Sequence, residues 1–370
     1  MLGPLQQAVN EILTFGGSPC LSLYLNTHRA SVQAAEDRIR YKNMLRDAEA
    51  LLGDDASFLE PARALLDDEE FWTNLSDSVA MFCATSFFKV AKAPFPLATD
   101  LVVGRRFYVK PLLGLASLPG RFYVLALSQD VQLFECTLEG IKEVAISGAV
   151  QSLKEFNKRE GRWDDLQQHS LSNRGAGAIF HGQGAGKDML DERQVKFFQQ
   201  IENAVSKHLN TSRARLLLAG TQESVALYAR INQYPHLEPE PLLGSTKRTP
   251  PNDIHRQAWK YLLQKLETQK TEAVERFKQL RGSERAVDHP EAVLKQAAQR
   301  RIKTLLVALD RHLWGYWDEE TLSAQTLQQW QTDAEDLLDR AAVLAASNGA
   351  TVYTLPEKRM PSALAAASLY

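Results

Sequence analysis

The residues of this chain with the clearest chemical potential lie between Ala178 and Leu190, in the segment AIFHGQGAGKDML. A short apolar run leads into three glycines, a glutamine and a lysine, and a charged stretch with helical character follows. Glycines ahead of a helix can cradle a phosphate, approach another backbone closely, or form a flexible surface turn. The sequence therefore allows a phosphate site, a catalytic loop or a simple turn here.

A nucleotide-binding P-loop is a poor match to this segment. Gly186 and Lys187 supply the Gly-Lys pair of that motif, but His181 stands where its first glycine belongs. Asp188 stands where a serine or threonine would bind Mg²⁺, and an acid there would repel phosphate. The segment also lacks the last glycine of G-x-G-x-x-G, so a dinucleotide site is not predicted either.

Other common catalytic and metal signatures do not occur in the sequence. There is no G-x-S-x-G elbow of a serine hydrolase, and the histidines lack the H-E-x-x-H spacing of a zinc site. The three cysteines, Cys20, Cys83 and Cys136, lie far apart in apolar contexts. They predict buried thiols in a reducing cytoplasm rather than zinc ligands or disulfides. We therefore predict no metal and no cofactor.

Composition and charge are those of an ordinary globular protein. The 370 residues carry a formal net charge of −2, so no overall field favours nucleic acid. No apolar run approaches the ~18–20 residues that a membrane span needs. The first residues lack the basic and apolar regions of a signal peptide. We expect a cytoplasmic protein that binds neither membrane nor DNA.

The order of predicted elements divides the chain into three domains of mixed α/β class. Residues 1–118 contain the strand CLSLYLNT and a hairpin of helices over 36–52 and about 57–66. Further strands of the first domain are predicted in SVAMFCAT, FFKVAKAP and DLVVGRRFYVKP. Residues 119–243 begin with a strand hairpin, and a polar, irregular stretch over 151–177 follows.

The second half of the central domain and the third domain continue this alternation. After the glycine-rich loop come a long helix, the buried strand ARLLLAGT and a helix capped by Thr221. Residues 244–370 follow a proline-rich joint and read as an α/β/α sandwich that opens with a helix over about 253–281. Gly349 is expected to cap the helix DAEDLLDRAAVLAASNG. The segment HLWGYWDEE is expected to form a packed aromatic loop.

The order of these segments resembles the bacterial branch of the archaeo-eukaryotic release factor and Pelota superfamily. FYVLALSQDVQLFECTLEGIKEV is similar to the opening hairpin of that family's central domain. The resemblance covers nearly all of the chain and is most specific in RLLLAGTQES and in the closing segment. It implies an RNase H-like central domain with a mixed sheet. It also implies a third domain with the fold of the kink-turn-binding ribosomal proteins.

The resemblance implies that the loop 181–187 reaches the peptidyl-transferase centre of the ribosome. Release factors of the superfamily carry Gly-Gly-Gln there, and its glutamine helps a water molecule attack the peptidyl-tRNA ester. Gly182 and Gln183 correspond to the second glycine and the glutamine, while His181 replaces the first glycine. Gln183 is therefore catalytic only if the chain is a hydrolase. The loop residues implied to contact rRNA or tRNA are His181, Gly182, Gln183, Gly184, Gly186 and Lys187.

Basic residues near the loop could neutralise RNA phosphates, although each could equally be an ordinary solvated charge. Arg300, Arg301 and Lys303, ahead of a strand in the third domain, are interpreted as solvated helix-end charges rather than a binding site. Asp54 and Asp55, at the hairpin turn of the first domain, would repel mRNA phosphates, so stop-codon reading is not expected. The phosphate-contact candidates are Lys158, Arg159, Arg162 and Arg174.

The leading hypothesis is a ribosome-associated factor that occupies the A site for ribosome rescue or stress hibernation, without stop-codon reading and without peptide release. The family alone implies the 70S ribosome as partner, with rRNA and tRNA contacts. It also implies delivery by a translational GTPase such as elongation factor Tu. Two alternatives stay open: a peptidyl-tRNA hydrolase that uses Gln183, and a non-ribosomal RNA-binding stress adaptor. Fold alone does not separate these hypotheses.

Overall fold

The computed structural model describes residues 11–13, 15, 17–28, 34–115, 117–138, 140–160, 185–362 and 364–370, without the side chains of residues 34, 35 and 185–191. The chain divides into two units. The central unit is Arg121–Tyr261, and the two-segment unit combines Leu2–Gly120 with Leu262–Tyr370. The division into three domains at residues 118/119 and 243/244 stays a prediction. None of the described helices is long and apolar enough to cross a membrane.

The first segment of the two-segment unit folds around an antiparallel sheet. Its elements are β1 (Cys20–Asn26), α1 (Ala34–Leu52), α2 (Glu60–Ala64), α3 (Glu69–Thr73), β2 (Ser78–Ala84), β3 (Phe87–Ala93), β4 (Asp100–Gly104) and α4 (Lys110–Leu113). The four strands lie in the order β3-β2-β1-β4. Tyr41, Leu45, Ala48 and Leu52 of α1 are spaced three or four residues apart, so they share one helix face and pack into the core on β1 and β2. The predicted strands CLSLYLNT, SVAMFCAT and FFKVAKAP are confirmed.

Two predictions for this segment were wrong in extent. The helix expected over about 57–66 is interrupted, because a 3-10 helix over Gly53–Leu59 precedes α2. Pro61 lies in the first turn of α2, where its missing N–H costs no helical hydrogen bond. The strand expected in DLVVGRRFYVKP ends at Gly104. There the chain meets another backbone: Arg105 N donates to the Ala334 carbonyl at 3.0 Å, and a Cβ on Gly104 would lie 2.8 Å from that oxygen.

The central unit is a mixed sheet with two helices packed on it. Its elements are β5 (Arg121–Leu127), β6 (Gln132–Thr137), β7 (Ile141–Val144), α5 (Ala185–Leu209), β8 (Arg215–Gly220), α6 (Gln222–Ile231) and β9 (Leu242–Leu243). The strand order is β7-β6-β5-β8-β9, with β5 antiparallel to β6 and parallel to β8. The predicted hairpin, long helix and buried strand are confirmed. So is the cap, since the Thr221 hydroxyl accepts from Ser224 N at 3.3 Å.

One stretch of the central unit is more regular than its composition suggested. Residues 153–160 are helical, whereas the sequence predicted an irregular excursion over 151–177. Phe156 is buried in the core of the unit, and Leu153 packs against the same core from one turn earlier. This pair gives the stretch one apolar face, which the surrounding polar residues obscure in the sequence.

Tyr228, on α6, offers a test of the packing in this core. The residue is fully buried, and its hydroxyl has no hydrogen-bond partner among the described residues. An unsatisfied buried hydroxyl costs free energy. We therefore expect Tyr228→Phe to leave the free energy of unfolding unchanged or to raise it by up to ~1 kcal/mol. Urea unfolding measures this free energy, and Tyr24→Phe is the contrasting variant. Tyr24 OH donates to the Tyr108 carbonyl at 2.7 Å, so the loss of this hydrogen bond should destabilise the fold.

The second segment of the two-segment unit carries two further sheets. Its elements are α7 (Pro251–Leu280, which contributes residues to both units), β10 (Ala286–Val287), α8 (Pro290–Ala298), β11 (Ile302–Ala308), β12 (Trp314–Asp318), β13 (Ser323–Thr326), β14 (Glu335–Asp336), α9 (Leu337–Ser347), β15 (Thr351–Leu355) and β16 (Ala365–Leu369). One sheet has the order β10-β16-β11-β15 and the other the order β13-β12-β14. Together with the other described elements they confirm the mixed α/β class.

Two predictions for this segment also need correction. The segment HLWGYWDEE is not a loop, because Trp314–Asp318 forms β12 and pairs with β13 and β14. Trp317 is buried, whereas the ring of Trp314 stacks on that of His312 with centroids 5.0 Å apart. Helix α9 begins later than predicted because Asp336 caps it, its carboxylate accepting from Leu338 N at 3.0 Å.

The C-terminal ends of α8 and α9 have the same backbone conformation but are formed by different residues. Gly349 follows α9 with φ of 84°, and the backbone N–H groups of Gly349 and Ala350 donate back into the last turn. This pattern closes a helix at a left-handed residue and confirms the predicted cap. Arg300 holds the same position after α8 with φ of 60°. A side chain in that conformation costs about 1–2 kcal/mol, which glycine avoids.

Candidate functional site

The structure places the predicted loop residues only in part. His181, Gly182, Gln183, Gly184, Arg162 and Arg174 lie outside the described residues. Helix α5 begins at Ala185, so Gly186 and Lys187 belong to its first turn. The last three residues of the predicted loop 181–187 therefore belong to helix α5. Lys158 and Arg159 are exposed on the helical stretch 153–160.

The described residues on both sides of this segment are anchored to one core. Phe197 and Phe198 of α5 are buried with residues of β5 and β8, and Ile201 continues the same face one turn later. Phe156, on the preceding helical stretch, packs its ring 5.5 Å from that of Phe197. The apolar spacing along α5 thus fixes the helix that follows the glycines to the central sheet.

The electrostatic surroundings of Arg159 differ from what an RNA contact would need. Arg159 lies beside a groove of the central unit whose walls include the carboxylates Asp130, Glu143, Glu155 and Glu160. Four acids against one arginine would repel a phosphate that approached through this groove. Lys158 does not line this groove.

A second concentration of charge lies inside the two-segment unit. Lys110 is fully buried, and its ammonium donates to Asp336 Oδ2 at 3.1 Å and to the Arg311 carbonyl at 2.7 Å. His312 Nδ1 lies 3.0 Å from the same Asp336 oxygen, and its Nε2 lies 3.4 Å from Asp100 Oδ2. Lys110 and Asp336 are 226 residues apart in the chain, so no local sequence motif predicts this cluster. Its contacts join the two segments of the unit.

The surroundings of this cluster shift the pKa values of its members. Burial opposes the charged form of His312, but hydrogen bonds to Asp100 and Asp336 outweigh that effect and raise its pKa to about 9. Burial would also raise the pKa of Asp336, yet Lys110 and His312 hold it below its ordinary value. Burial and the neighbouring Asp336 raise the pKa of Asp339 to about 7. Because Lys110 and Asp336 are inaccessible to a substrate, we assign the cluster to stability.

The predicted burial of the three cysteines is confirmed. Cys20, Cys83 and Cys136 are all free and buried. Burial raises the pKa of Cys20 to about 12 and that of Cys83 to about 11, so both thiols stay protonated and unreactive at neutral pH. Within the described ranges, no three His, Cys, Asp or Glu side chains group as a metal site would require.

A family model matches the central unit of the chain. This unit contains the strand hairpin, the glycine-rich segment ahead of a long helix, and the buried strand. Residues 122–264 match the model of bacterial archaeo-eukaryotic release factor family 7. The match confirms the resemblance to the bacterial release factors over this span. The span runs from β5 into α7 and includes residues 181–187, so the glycine-rich segment lies within the family 7 match. It supports a translation-related factor.

Solved structures of low sequence identity were also found. The archaeal translation termination factor aRF1 is 16% identical, with 99% of this chain and 96% of that chain covered and a TM-score of 0.25. Archaeal Pelota, from a model of ribosome-bound Pelota and ABCE1, is 9% identical, with 100% and 94% covered and a TM-score of 0.41. Dom34 of S. cerevisiae is 12% identical, with 67% and 62% covered and a TM-score of 0.33. No curated protein matches the chain.

Proposed function

We propose that this protein is a ribosome-associated factor that occupies the A site during ribosome rescue or stress hibernation. In this proposal it reads no stop codon and releases no peptide. It acts in the cytoplasm on 70S ribosomes, and a translational GTPase such as elongation factor Tu delivers it. The single observation that carries the proposal is the family 7 match, which contains the loop expected to reach the ribosome's active centre.

The sequence of the loop supports binding rather than hydrolysis. Peptide release by this superfamily depends on paired glycines ahead of glutamine, and His181 removes the first of them. A β-carbon at that position narrows the backbone conformations open to the loop. Gly182 and Gly184 still allow a close approach to RNA, and Lys187 supplies a positive charge in the first turn of α5.

The turn after α1 supports a role without codon reading. Asp54 and Asp55 are exposed in the 3-10 helix Gly53–Leu59, where no cation pairs with them among the described residues. Two free carboxylates at a tip would repel an mRNA backbone rather than bind it.

Sedimentation tests the proposal directly. Purified protein and extracts of growing and starved cells would be separated on sucrose gradients at low salt, with detection of the untagged chain by antibody. We expect the protein in the 70S fractions, more strongly after starvation, and release from them as salt rises. Absence from ribosomal fractions under every condition would contradict the proposal. Crosslinking dominated by other RNAs would then favour the non-ribosomal adaptor.

Peptide release separates the binding factor from the hydrolase that Gly182 and Gln183 still allow. Stalled ribosomes carrying labelled peptidyl-tRNA would be mixed with the wild type, Gln183→Ala and His181→Gly. We expect no release by the first two, while His181→Gly, which restores paired glycines ahead of Gln183, should gain measurable release. Release by the wild type that Gln183→Ala abolishes would instead establish the hydrolase.

A further inference from the structure

Three neighbouring strands bring basic residues from distant parts of the chain to one end of a sheet. In the order β10-β16-β11, Ala286 pairs with Ser368 and Ile302 pairs with Leu369. Just outside these pairs, the Arg285 carbonyl accepts from Leu369 N at 2.9 Å, and the Arg301 carbonyl accepts from Tyr370 N at 3.2 Å. Adjacent strands lie ~4.8 Å apart, so Arg285 and Arg301 flank β16 at a backbone separation of ~10 Å.

Two more cations stand beside this pair. Arg300 precedes Arg301 at the end of α8, and Lys303 occupies a register shift in β11 between residues 302 and 304. A shift of this kind re-aims the extra side chain. We call these four residues, Arg285, Arg300, Arg301 and Lys303, the basic sheet end.

The basic sheet end is exposed and not neutralised. All four side chains are exposed, and none forms an ion pair with another described residue. The nearest acids in sequence are Glu284, which is exposed, and Asp288, which pairs with Arg281 at 3.3 Å. Tyr370, whose backbone N–H donates to the Arg301 carbonyl at 3.2 Å, is 72% exposed. An exposed aromatic residue next in the sheet to cations can stack on bases while the cations hold phosphates.

Arg300 is the member of the basic sheet end with a left-handed backbone, with φ of 60°. It holds a left-handed position that Gly349 fills at the matching end of α9. Helix closure alone would favour glycine at both ends. Glycine would relieve this strain, so the Arg300 side chain can be removed without cost to the helix end.

We propose that the basic sheet end binds the phosphate backbone of RNA. The inference does not require ribosome binding, and it assigns RNA contact to residues outside the family 7 match. It replaces the interpretation of Arg300, Arg301 and Lys303 as helix-end charges. Arg285 does not follow helix α8, so the dipole of that helix does not explain why Arg285 lies beside the other three residues.

Binding of free RNA tests the proposal with the full chain. Fluorescence anisotropy would follow a labelled 20-nucleotide single-stranded RNA between 50 and 200 mM salt. We expect Arg285→Gln/Arg301→Gln/Lys303→Gln to bind at least about 10-fold more weakly at low salt. The slope of log K against log salt should become shallower by about 2, since each lost phosphate contact contributes about 0.7.

A matched triple variant keeps the test specific. Lys42→Gln/Arg46→Gln/Arg230→Gln removes the same charge from exposed residues elsewhere. It should keep the wild-type slope. Equal losses in both triples, or no RNA binding by the wild type, would overturn the proposal. These results are independent of the gradient experiment, so ribosome binding that survives loss of the patch leaves the proposed function standing.

Arg300→Gly separates binding from helix stability. Glycine suits the left-handed position, so the melting temperature should stay the same or rise while RNA affinity falls. A lower melting temperature with unchanged affinity would assign Arg300 to the helix end and remove it from the binding surface.

Discussion

Replacement of Lys110 by methionine should lower the free energy of unfolding of the two-segment unit by about 3–5 kcal/mol. The side chains of Lys110 and Asp336 are 0% and 1% exposed, and the ion pair is 3.1 Å long. Methionine fills a similar volume but leaves the Asp336 carboxylate buried beside one fewer cation. Removing one partner of a buried pair costs far more than the pair itself contributes. Urea unfolding followed by tryptophan fluorescence would measure the change.

An exposed lysine provides the control for this variant. Lys278 Nζ lies 2.8 Å from Glu275 Oε1, but both side chains are more than half exposed. Lys278→Met should therefore change the free energy of unfolding by less than ~0.5 kcal/mol. If both variants had the same small effect, the buried cluster would not be holding the two segments together.

Stability of the two-segment unit should fall as pH rises from about 6.5 to 9. The pKa of His312 is raised from its ordinary 6.5 to about 9 in the folded protein. The folded state then binds the proton more tightly than the unfolded state, so the stabilisation is complete below pH 6.5 and is lost as pH passes 9. We expect a loss on the order of 2 kcal/mol over this window. Urea midpoints measured at half-unit pH steps would show it.

His312→Gln should abolish the loss of stability above pH 6.5. It should leave the loss of stability at lower pH that Asp339 causes. The pKa of Asp339 is raised from 3.8 to about 7, so its contribution is complete below pH 3.8 and disappears by about pH 7. Glutamine cannot titrate, but it retains a donor for Asp336. An unchanged fall above pH 7 in His312→Gln would show that another group titrates there and that His312 is not held by Asp100 and Asp336.

Local patterns in the sequence were sufficient to predict most elements of the fold. The apolar spacing of Phe198, Ile201, Val205 and Leu209 predicted the buried face of α5, and the apolar run RLLLAG predicted the central strand β8. Thr221 and Gly349 marked helix ends by their own chemistry. Some failures were at boundaries, such as Gly104, where contact with a distant backbone ends a strand. Others were whole segments, because residues 153–160 are helical and Trp314–Asp318 is a strand where the sequence predicted irregular structure.

The candidate site was accessible to sequence reasoning only where its residues are contiguous. The glycine-rich segment could be compared with known motifs because its residue types follow one another. Lys158 and Arg159 gave no such signal, and the acids that line the groove beside Arg159 come from three separate stretches of chain. The basic sheet end has the same property, since Arg285 and Arg301 become neighbours only when β16 lies between them.

The sequence by itself determined most of the secondary structure, the burial of the cysteines and the resemblance to bacterial release factors, because periodicity and motif order are properties of neighbouring residues. Tertiary structure alone decided that Lys110 is buried against Asp336, that His312 bridges two carboxylates, and that arginines from separate elements share one surface. The environment of a charge depends on side chains that the fold brings together across hundreds of residues. The sequence around Lys110 therefore does not indicate the carboxylate against which the lysine is buried.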